Sequence, residues 1–198
     1  MTGIIDYGAG NTASVSYALE KLGVDLVISS SVVLLDKCDN LILPGVGSAR
    51  AAMENLRAKD LVNFIKTTNK PFLGICLGMQ LLAETSEEGE TECLGIVKGG
   101  CIAFDKTISK VPLMGWNRVE PGVPDPLFDG IEPGSYFYFA HSFKLPIITE
   151  TIAVSDNSGA YTAALRKGNK WGGQFHPEKS SEQGLRLLKN FIEKGGAL

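Results

Sequence analysis

Apolar residues in the first half of the chain alternate between two spacings. Short apolar runs, typical of buried strands, occur at residues 3–7, 24–28, 40–43 and 71–75. Between them, apolar residues recur at helical spacing over 11–22, with Asn11 as the predicted N-cap, and over 48–68, with a break near Asp60. The run CLGMQLLAE at 76–84 predicts a further helix. Strands separated by helices of this length predict a parallel sheet covered on both sides.

The pattern changes after about residue 89, where short strand-like runs are separated by turns rich in Pro, Gly and Asp. These runs lie at residues 95–97, 116–120, 136–139, 151–154, 161–165 and 171–175. A final helix is predicted from an N-cap at Ser181 to Gly195. Without a repeat or linker, the chain is expected to be one α/β domain over residues 1–198. Its predicted architecture is an open, mostly parallel central sheet, flanked by helices and continued by an antiparallel extension.

Composition narrows the function classes. The net charge is -3, from 19 basic and 22 acidic residues, and this balance does not suggest a nucleic-acid partner. Two histidines and four cysteines show no zinc-ligand spacing, and no phosphate-loop motif is present, so neither a metal nor a cofactor is expected. No apolar run reaches about 20 residues, and the N-terminus does not resemble a secretory signal. We therefore expect a cytoplasmic protein with reduced thiols and no membrane contact.

Candidate chemistry centres on Cys76, within Gly-Ile-Cys-Leu-Gly between a predicted strand and a helix. This is the cysteine form of the nucleophile elbow, whose sharp turn requires small residues such as Gly74 and Gly78 beside the nucleophile. The start of a helix favours a thiolate, and the Leu77 N–H is placed to hold a developing oxyanion. The alternative is a small buried hydrophobic residue. That is our interpretation of the other three cysteines, Cys38, Cys93 and Cys101.

A base for this thiol is available in Gly-Gln-Phe-His-Pro-Glu, which contains His176 and Glu178. An extended His-Pro-Glu would place both side chains on one side, so the carboxylate could orient the imidazole. The alternative is a histidine at a strand end beside a solvated glutamate. Pro-Gly-Val-Gly at 44–47 could supply a second oxyanion donor, although an ordinary strand-to-helix turn explains the same glycines.

Three motifs, PGVG, GICLGMQ and QFHPEKS, occur in the order and at the spacing that resemble class I (triad) glutamine amidotransferases. The resemblance extends over nearly the whole chain. IDYGAGN, SEEG, VPLMGWN, YFYFAHSF and HPEKS are further similar to the glutaminase subunits of imidazole glycerol phosphate synthases, which act in histidine biosynthesis. Leu113 stands where that group often has histidine, which leaves room for a paralogue that serves another synthase.

The resemblance implies a role for each matched residue. Cys76 would attack the carboxamide of L-glutamine to form a thioester, and His176, held by Glu178, would act as acid and then as base. The Val46 and Leu77 N–H groups would form the oxyanion hole. Further residues would bind the charged end of glutamine: Gly47, Gln80, Ser142 and Phe143. His141 would be structural or site-lining rather than catalytic.

The resemblance also implies a partner, a (β/α)8-barrel synthase (cyclase) subunit that forms a heterodimer with the glutaminase. It would use the ammonia to make imidazole glycerol phosphate and an aminoimidazole carboxamide ribotide. The residues matching its interface are Asn11, Trp116, Tyr138 and Lys179, although Trp116 could instead be a core residue. Two further alternatives are a stand-alone cysteine hydrolase and a degenerate amidotransferase that only binds.

Overall fold

Helices and strands alternate in the first half of the chain, and strands dominate the second half. The structure is a computed structural model that describes residues 1–195. The helices are α1 (Thr12–Lys21), α2 (Val32–Leu35), α3 (Ala49–Ala58), α4 (Leu61–Thr67), α5 (Leu77–Gln80) and α6 (Ser181–Lys194), with short 3-10 helices at Pro126–Phe128 and Pro177–Lys179. The strands are β1 (Thr2–Ile5), β2 (Leu26–Ser29), β3 (Asn40–Gly45), β4 (Phe72–Cys76), β5 (Thr85–Ser86), β6 (Thr91–Glu92), β7 (Gly100–Ala103), β8 (Leu113–Pro121), β9 (Ser135–His141), β10 (Phe143–Lys144), β11 (Thr151–Asp156), β12 (Ala160–Lys167) and β13 (Lys170–Gly173).

The main sheet has the strand order β2-β1-β3-β4-β13-β12-β11-β8-β9. The first five strands are parallel, and the remaining four continue the sheet in antiparallel pairing. An open α/β sheet with an antiparallel extension is therefore confirmed. A second, four-stranded sheet in the order β10-β7-β5-β6 was not predicted.

Two apolar cores cover the two faces of the sheet. In β3, Ile42 packs into the core that contains residues of α1 and α6. Its neighbours Leu41 and Leu43 pack into the other core, with residues of α3 and α4. Successive side chains of a strand point to opposite faces, so a strand covered on both sides is apolar at every position. This explains the unbroken apolar runs of the first half.

Local signals placed α1, α3 and α4 correctly, whereas the short helix α2 was not predicted. Asn11 caps α1 by accepting a hydrogen bond from the Ser14 N–H at 3.2 Å. The helical pattern over 48–68 is interrupted at Asp60, which has a φ of 56° and separates α3 from α4. The final helix begins at Ser181 itself, and Ser180 occupies the N-cap position predicted for Ser181.

The predicted helix over 76–84 is too long, and the predicted strand at 95–97 is wrong. Helix α5 ends at Gln80. The backbone N–H groups of Leu94, Gly95 and Ile96 donate to the carbonyls of residues 81–83. Those carbonyls would have continued the helix, so one set of loop contacts accounts for both errors.

The position of strand β13 in the sheet determines which residues lie beside Cys76. The sequence pattern grouped it with the antiparallel strands, but it also pairs in parallel with β4, with Gly172 opposite Gly74. Parallel neighbours end at the same edge of a sheet. The residues after β13 therefore lie beside those that end β4. No helix among residues 1–195 is long and apolar enough to cross a bilayer.

Candidate active site

Cys76 lies on a strained turn between β4 and α5. Its φ of 54° and ψ of -108° are unusual for a residue with a side chain. A Cβ at Gly74 would lie 2.5 Å from the Gly78 carbonyl oxygen, so the first glycine is required by the turn itself. A Cβ at Gly78 would lie 2.0 Å from the Leu43 carbonyl oxygen. The second glycine is therefore required by the close approach of β3 rather than by Gly74.

His176 and Glu178 form a buried pair beside this turn. The His176 Nδ1 lies 2.9 Å from the Glu178 Oε1, and both side chains are almost completely buried. The link between them is a 3-10 turn that starts at Pro177, not the extended segment expected from the sequence. The Nδ1–H group donates this hydrogen bond to the carboxylate, which leaves Nε2 to interact with the thiol.

The environment of the imidazole favours its charged form. Burial alone lowers the pKa of His176, but hydrogen bonds and charge interactions with Cys76 and Glu178 outweigh burial and raise it to about 10. The backbone is held as well, because the His176 N–H donates to the Tyr138 carbonyl at 2.8 Å. In addition, the Ser180 hydroxyl donates to the His176 carbonyl at 2.6 Å.

A cavity of about 350 Å³ opens above Cys76 and His176. Every residue that the sequence assigned to glutamine binding or to the oxyanion hole lines it: Val46, Gly47, Leu77, Gln80, Ser142 and Phe143. Glu178 is not among the lining residues, because it lies behind the imidazole. The structure thus brings together segments that lie up to about 130 residues apart in the chain.

Two polar residues at the site escaped the sequence analysis. Glu88 lines the cavity, and its Oε2 also accepts a hydrogen bond from the Ala49 N–H at 2.8 Å. Gln174 is completely buried between Gln80 and Cys76. Both belong to motifs that carried the family resemblance, SEEG and QFHPEKS, so a closer look at the polar members of those motifs could have found them.

His141 is a buried, neutral residue at the cavity wall. Its Nδ1–H donates to the Phe143 carbonyl at 2.7 Å, and its ring packs against Phe104, Phe139 and Tyr161. Burial lowers the pKa of His141 to about 4. These contacts fit the structural or site-lining interpretation of His141. Among the described residues, the Glu178 carboxylate pairs with His176 and not with His141.

The remaining cysteines lie in surroundings that keep them protonated. Cys38, Cys93 and Cys101 are all buried. Burial raises the pKa of Cys93 to about 11, and it also raises the pKa values of Cys38 and Cys101. Over residues 1–195, no three His, Cys, Asp or Glu side chains are grouped so that they could hold a metal ion.

An aromatic surface lies on β8 and β9, and we define it as Trp116, Tyr136 and Tyr138; Met114 of β8 lines the cavity. Trp116 is 51% exposed, so its interpretation as a core residue is wrong. The Tyr138 ring lies 6.3 Å from the Trp116 ring and 6.5 Å from the His176 ring, and the Lys179 Nζ is 5.9 Å from its centre. Asn11 uses its side chain to cap α1. Leu113 packs against the core, so its departure from histidine is a packing change.

Comparison with known proteins agrees with this geometry. A family model described as class-I glutamine amidotransferase matches residues 3–194. The chain belongs to this amidotransferase family. It is 46% identical over 196 residues to the imidazole glycerol phosphate synthase subunit HisH 1 of Vibrio vulnificus (strain YJ016), with 96% of each chain covered. The corresponding HisH subunits of Vibrio parahaemolyticus and Haemophilus influenzae (strain Rd) are 47% and 44% identical, again with 96% of each chain covered.

Solved structures show the same amidotransferase fold. One described as glutamine amidotransferase superposes with a TM-score of 0.77 at 18% identity, covering 100% of this chain and 99% of the other. PurLQS from Thermotoga maritima superposes with a TM-score of 0.69 at 21% identity, covering 96% of each chain. At these identities the likeness establishes the fold alone.

Proposed function

We propose that this chain is the glutaminase subunit of an imidazole glycerol phosphate synthase. It would hydrolyse L-glutamine to glutamate and ammonia and pass the ammonia to a synthase subunit in histidine biosynthesis. The observation that carries the proposal is Cys76 on its strained turn, beside the buried His176–Glu178 pair, at the base of a single cavity. The HisH relatives support the choice of pathway.

The first half of the reaction forms a thioester. The Cys76 sulfur attacks the carboxamide carbon of glutamine, and the Val46 and Leu77 N–H groups hold the resulting oxyanion. The C–N bond then breaks, and His176 gives a proton to the departing ammonia. An imidazole with a pKa of about 10 carries that proton at neutral pH.

The second half releases glutamate. His176, now neutral, takes a proton from water, and the hydroxide attacks the thioester carbon. The C–S bond breaks, the sulfur leaves as a thiolate, and His176 keeps the proton taken from water, so the starting state is restored. Glu178 holds the imidazole in the same orientation in both halves.

The cavity offers matching partners for the charged end of glutamine. Glu88 is the acidic side chain among the lining residues, and it would attract the α-ammonium group. Gly47, Gln80 and the segment Ser142–Phe143 would complete the binding site.

The aromatic surface and Lys179 are the proposed contact with the (β/α)8-barrel synthase subunit, together with Asn11. Exposed aromatic residues next to a cavity are typical interface anchors. A synthase docked here would lie beside the site where ammonia is released. A cytoplasmic location of the heterodimer is part of this proposal.

Glutamate release provides the test, measured for the chain alone, with the synthase subunit, and with that subunit plus its nucleotide ligand. We expect little hydrolysis by the chain alone and stimulation of about 10- to 100-fold in the complete mixture. Cys76→Ala should abolish activity under all conditions, whereas Cys38→Ala should retain it. High turnover without the partner would contradict the coupling, and activity in Cys76→Ala would contradict the mechanism.

The alternative functions predict different results in substrate, labelling and partner-stimulation assays. A stand-alone hydrolase would cleave peptide or ester substrates faster than glutamine. A binding module would form no adduct at Cys76 with a glutamine-mimicking electrophile. A paralogue would respond to a different synthase.

A further inference from the structure

The amide of Gln174 joins the glutamine-binding part of the cavity to the sulfur of Cys76. Its Nε2 donates to the Cys76 Sγ at 3.7 Å, and its Oε1 accepts a hydrogen bond from the Gln80 Nε2 at 2.9 Å. The Gln80 Nε2 also donates to the Phe143 carbonyl at 2.8 Å. Gln174 is fully buried and Gln80 nearly so. Water therefore does not compete for these bonds.

The direction of this chain of hydrogen bonds is fixed by its first member. A backbone carbonyl can only accept, so the NH2 group of Gln80 must face Phe143. The second hydrogen of that group points to Gln174, which must present its oxygen to Gln80 and its NH2 group to the sulfur. Turning either amide around would bring two donors or two acceptors together in a buried site, which is costly.

A donor facing the sulfur distinguishes the two states of Cys76. The thiol can donate to the Ala140 carbonyl, which lies 3.8 Å from the Sγ. The thiolate has no proton to donate and is a stronger acceptor, so it gains from an N–H donor and is repelled by a carbonyl. Gln174 supplies such a donor, at 3.7 Å from the sulfur.

We propose that Gln174 is a positioning residue that stabilises the Cys76 thiolate and directs its sulfur toward the cavity. The inference rests on the proposed role of Cys76 as the nucleophile. Gln174 acts through Cys76 and Gln80, and it is absent from the residues that line the cavity.

Alkylation of Cys76 by iodoacetamide tests the proposal, with the modified residue identified by mass spectrometry. Gln174→Met keeps nearly the same volume but removes the donor. The pH of half-maximal alkylation rate should rise by about one unit relative to the wild-type chain. With the synthase present, kcat for glutamine should fall about tenfold while KM changes less than about twofold.

A matched control removes a different buried amide. Asn190 donates to the carbonyls of Leu127 and Asp129, and it does not line the cavity. Asn190→Leu should lower stability but leave the pH profile of alkylation unchanged. Gln174→Glu provides a second variant, because it keeps the shape but places a carboxylate oxygen against the sulfur. It should shift the profile at least as far as Gln174→Met.

A wild-type alkylation profile in either folded Gln174 variant would overturn the proposal. If neither variant folds, a crystal structure of the wild-type chain decides, since a Gln174 nitrogen beyond about 4 Å from the sulfur would overturn it and a nitrogen within that distance would support it. Alkylation requires no glutamine. A shifted profile in a chain without glutaminase activity would therefore contradict the proposed function but not the role of Gln174.

Discussion

At the residue scale, the buried carboxylate of Glu178 needs a positively charged partner, and His176 is the neighbour that can provide it. The Glu178 side chain is about 1% exposed, and its Oε2 has no hydrogen-bond partner among the described residues. Burying a carboxylate is costly unless an opposite charge accompanies it. The protonated imidazole supplies that charge, so the protonation state of one ring affects both catalysis and stability.

We therefore predict that the free energy of unfolding depends on pH through this pair. The pKa of His176 is about 10 in the folded protein and near its ordinary 6.5 when unfolded. The stabilisation is complete below about pH 6.5 and is lost as pH rises through about 10. Because Cys76 and Glu178 both raise this pKa, Glu178→Gln should make the decline shallower, and it should lower kcat about 100-fold. Urea unfolding at pH 6, 8 and 10 measures the slope.

Glu182→Gln is the control for this prediction, because Glu182 is exposed in the first turn of α6. It should leave both the slope and kcat unchanged. An unaltered slope in Glu178→Gln would show that the pair does not link pH to stability.

At the scale of elements, the site depends on how closely the turn at Cys76 packs against β3. A Cβ at Gly45 would lie 2.6 Å from the Gly78 backbone nitrogen, and a Cβ at Gly78 would lie 2.0 Å from the Leu43 carbonyl oxygen. Backbone therefore approaches backbone directly, with no flexible side chain to absorb an added atom. This close approach sets the position of α5 on the sheet.

Gly78→Ala should consequently lower the free energy of unfolding by about 2–3 kcal/mol, because the added methyl group forces β3 and α5 apart. The urea midpoint gives the measurement. Gly122→Ala is the matched control, since a Cβ there meets nothing within 4 Å. Its stability should remain within about 0.5 kcal/mol of wild type. Equal stability of the two variants would contradict the packing argument.

At the scale of the whole molecule, the sheet has two very different edges. Strand β2 forms one edge, next to α2, and β9 forms the other, next to the cavity. The aromatic surface on β8 and β9 is exposed, whereas the alternate residues Phe137, Phe139 and Val119 are buried in the core. One pair of strands thus supports the core on one face and offers a docking surface on the other.

This two-sided arrangement predicts separable effects of mutation. Trp116→Ala should weaken binding to the synthase subunit about 30-fold but change the free energy of unfolding by less than about 0.5 kcal/mol. Calorimetric titration and urea unfolding measure the two quantities. Val33→Ala, at an exposed apolar residue of α2 beside the opposite edge, should leave both unchanged. Unchanged affinity in Trp116→Ala would contradict the proposed interface.

The sequence determined those features that depend on neighbouring residues. Asn11 could be recognised as a cap and Asp60 as a helix break, because each acts within one turn of helix. The elbow at Cys76 could be recognised because its glycines and the adjoining strand and helix are contiguous. The residue types of a nucleophile, a base and a carboxylate were equally visible in short motifs.

Only the tertiary structure decided how these pieces meet. The place of β13 beside β4 depends on pairing between strands about one hundred residues apart, and it brings His176 to Cys76. The end of α5 at Gln80 depends on loop residues 93–97, which take the carbonyls a longer helix would use. The contacts of Glu88 and Gln174 arise only when distant segments surround them. The local sequence pattern indicates which helix or strand a segment can form. Long-range packing and hydrogen bonding determine which other segments it pairs with and where it ends.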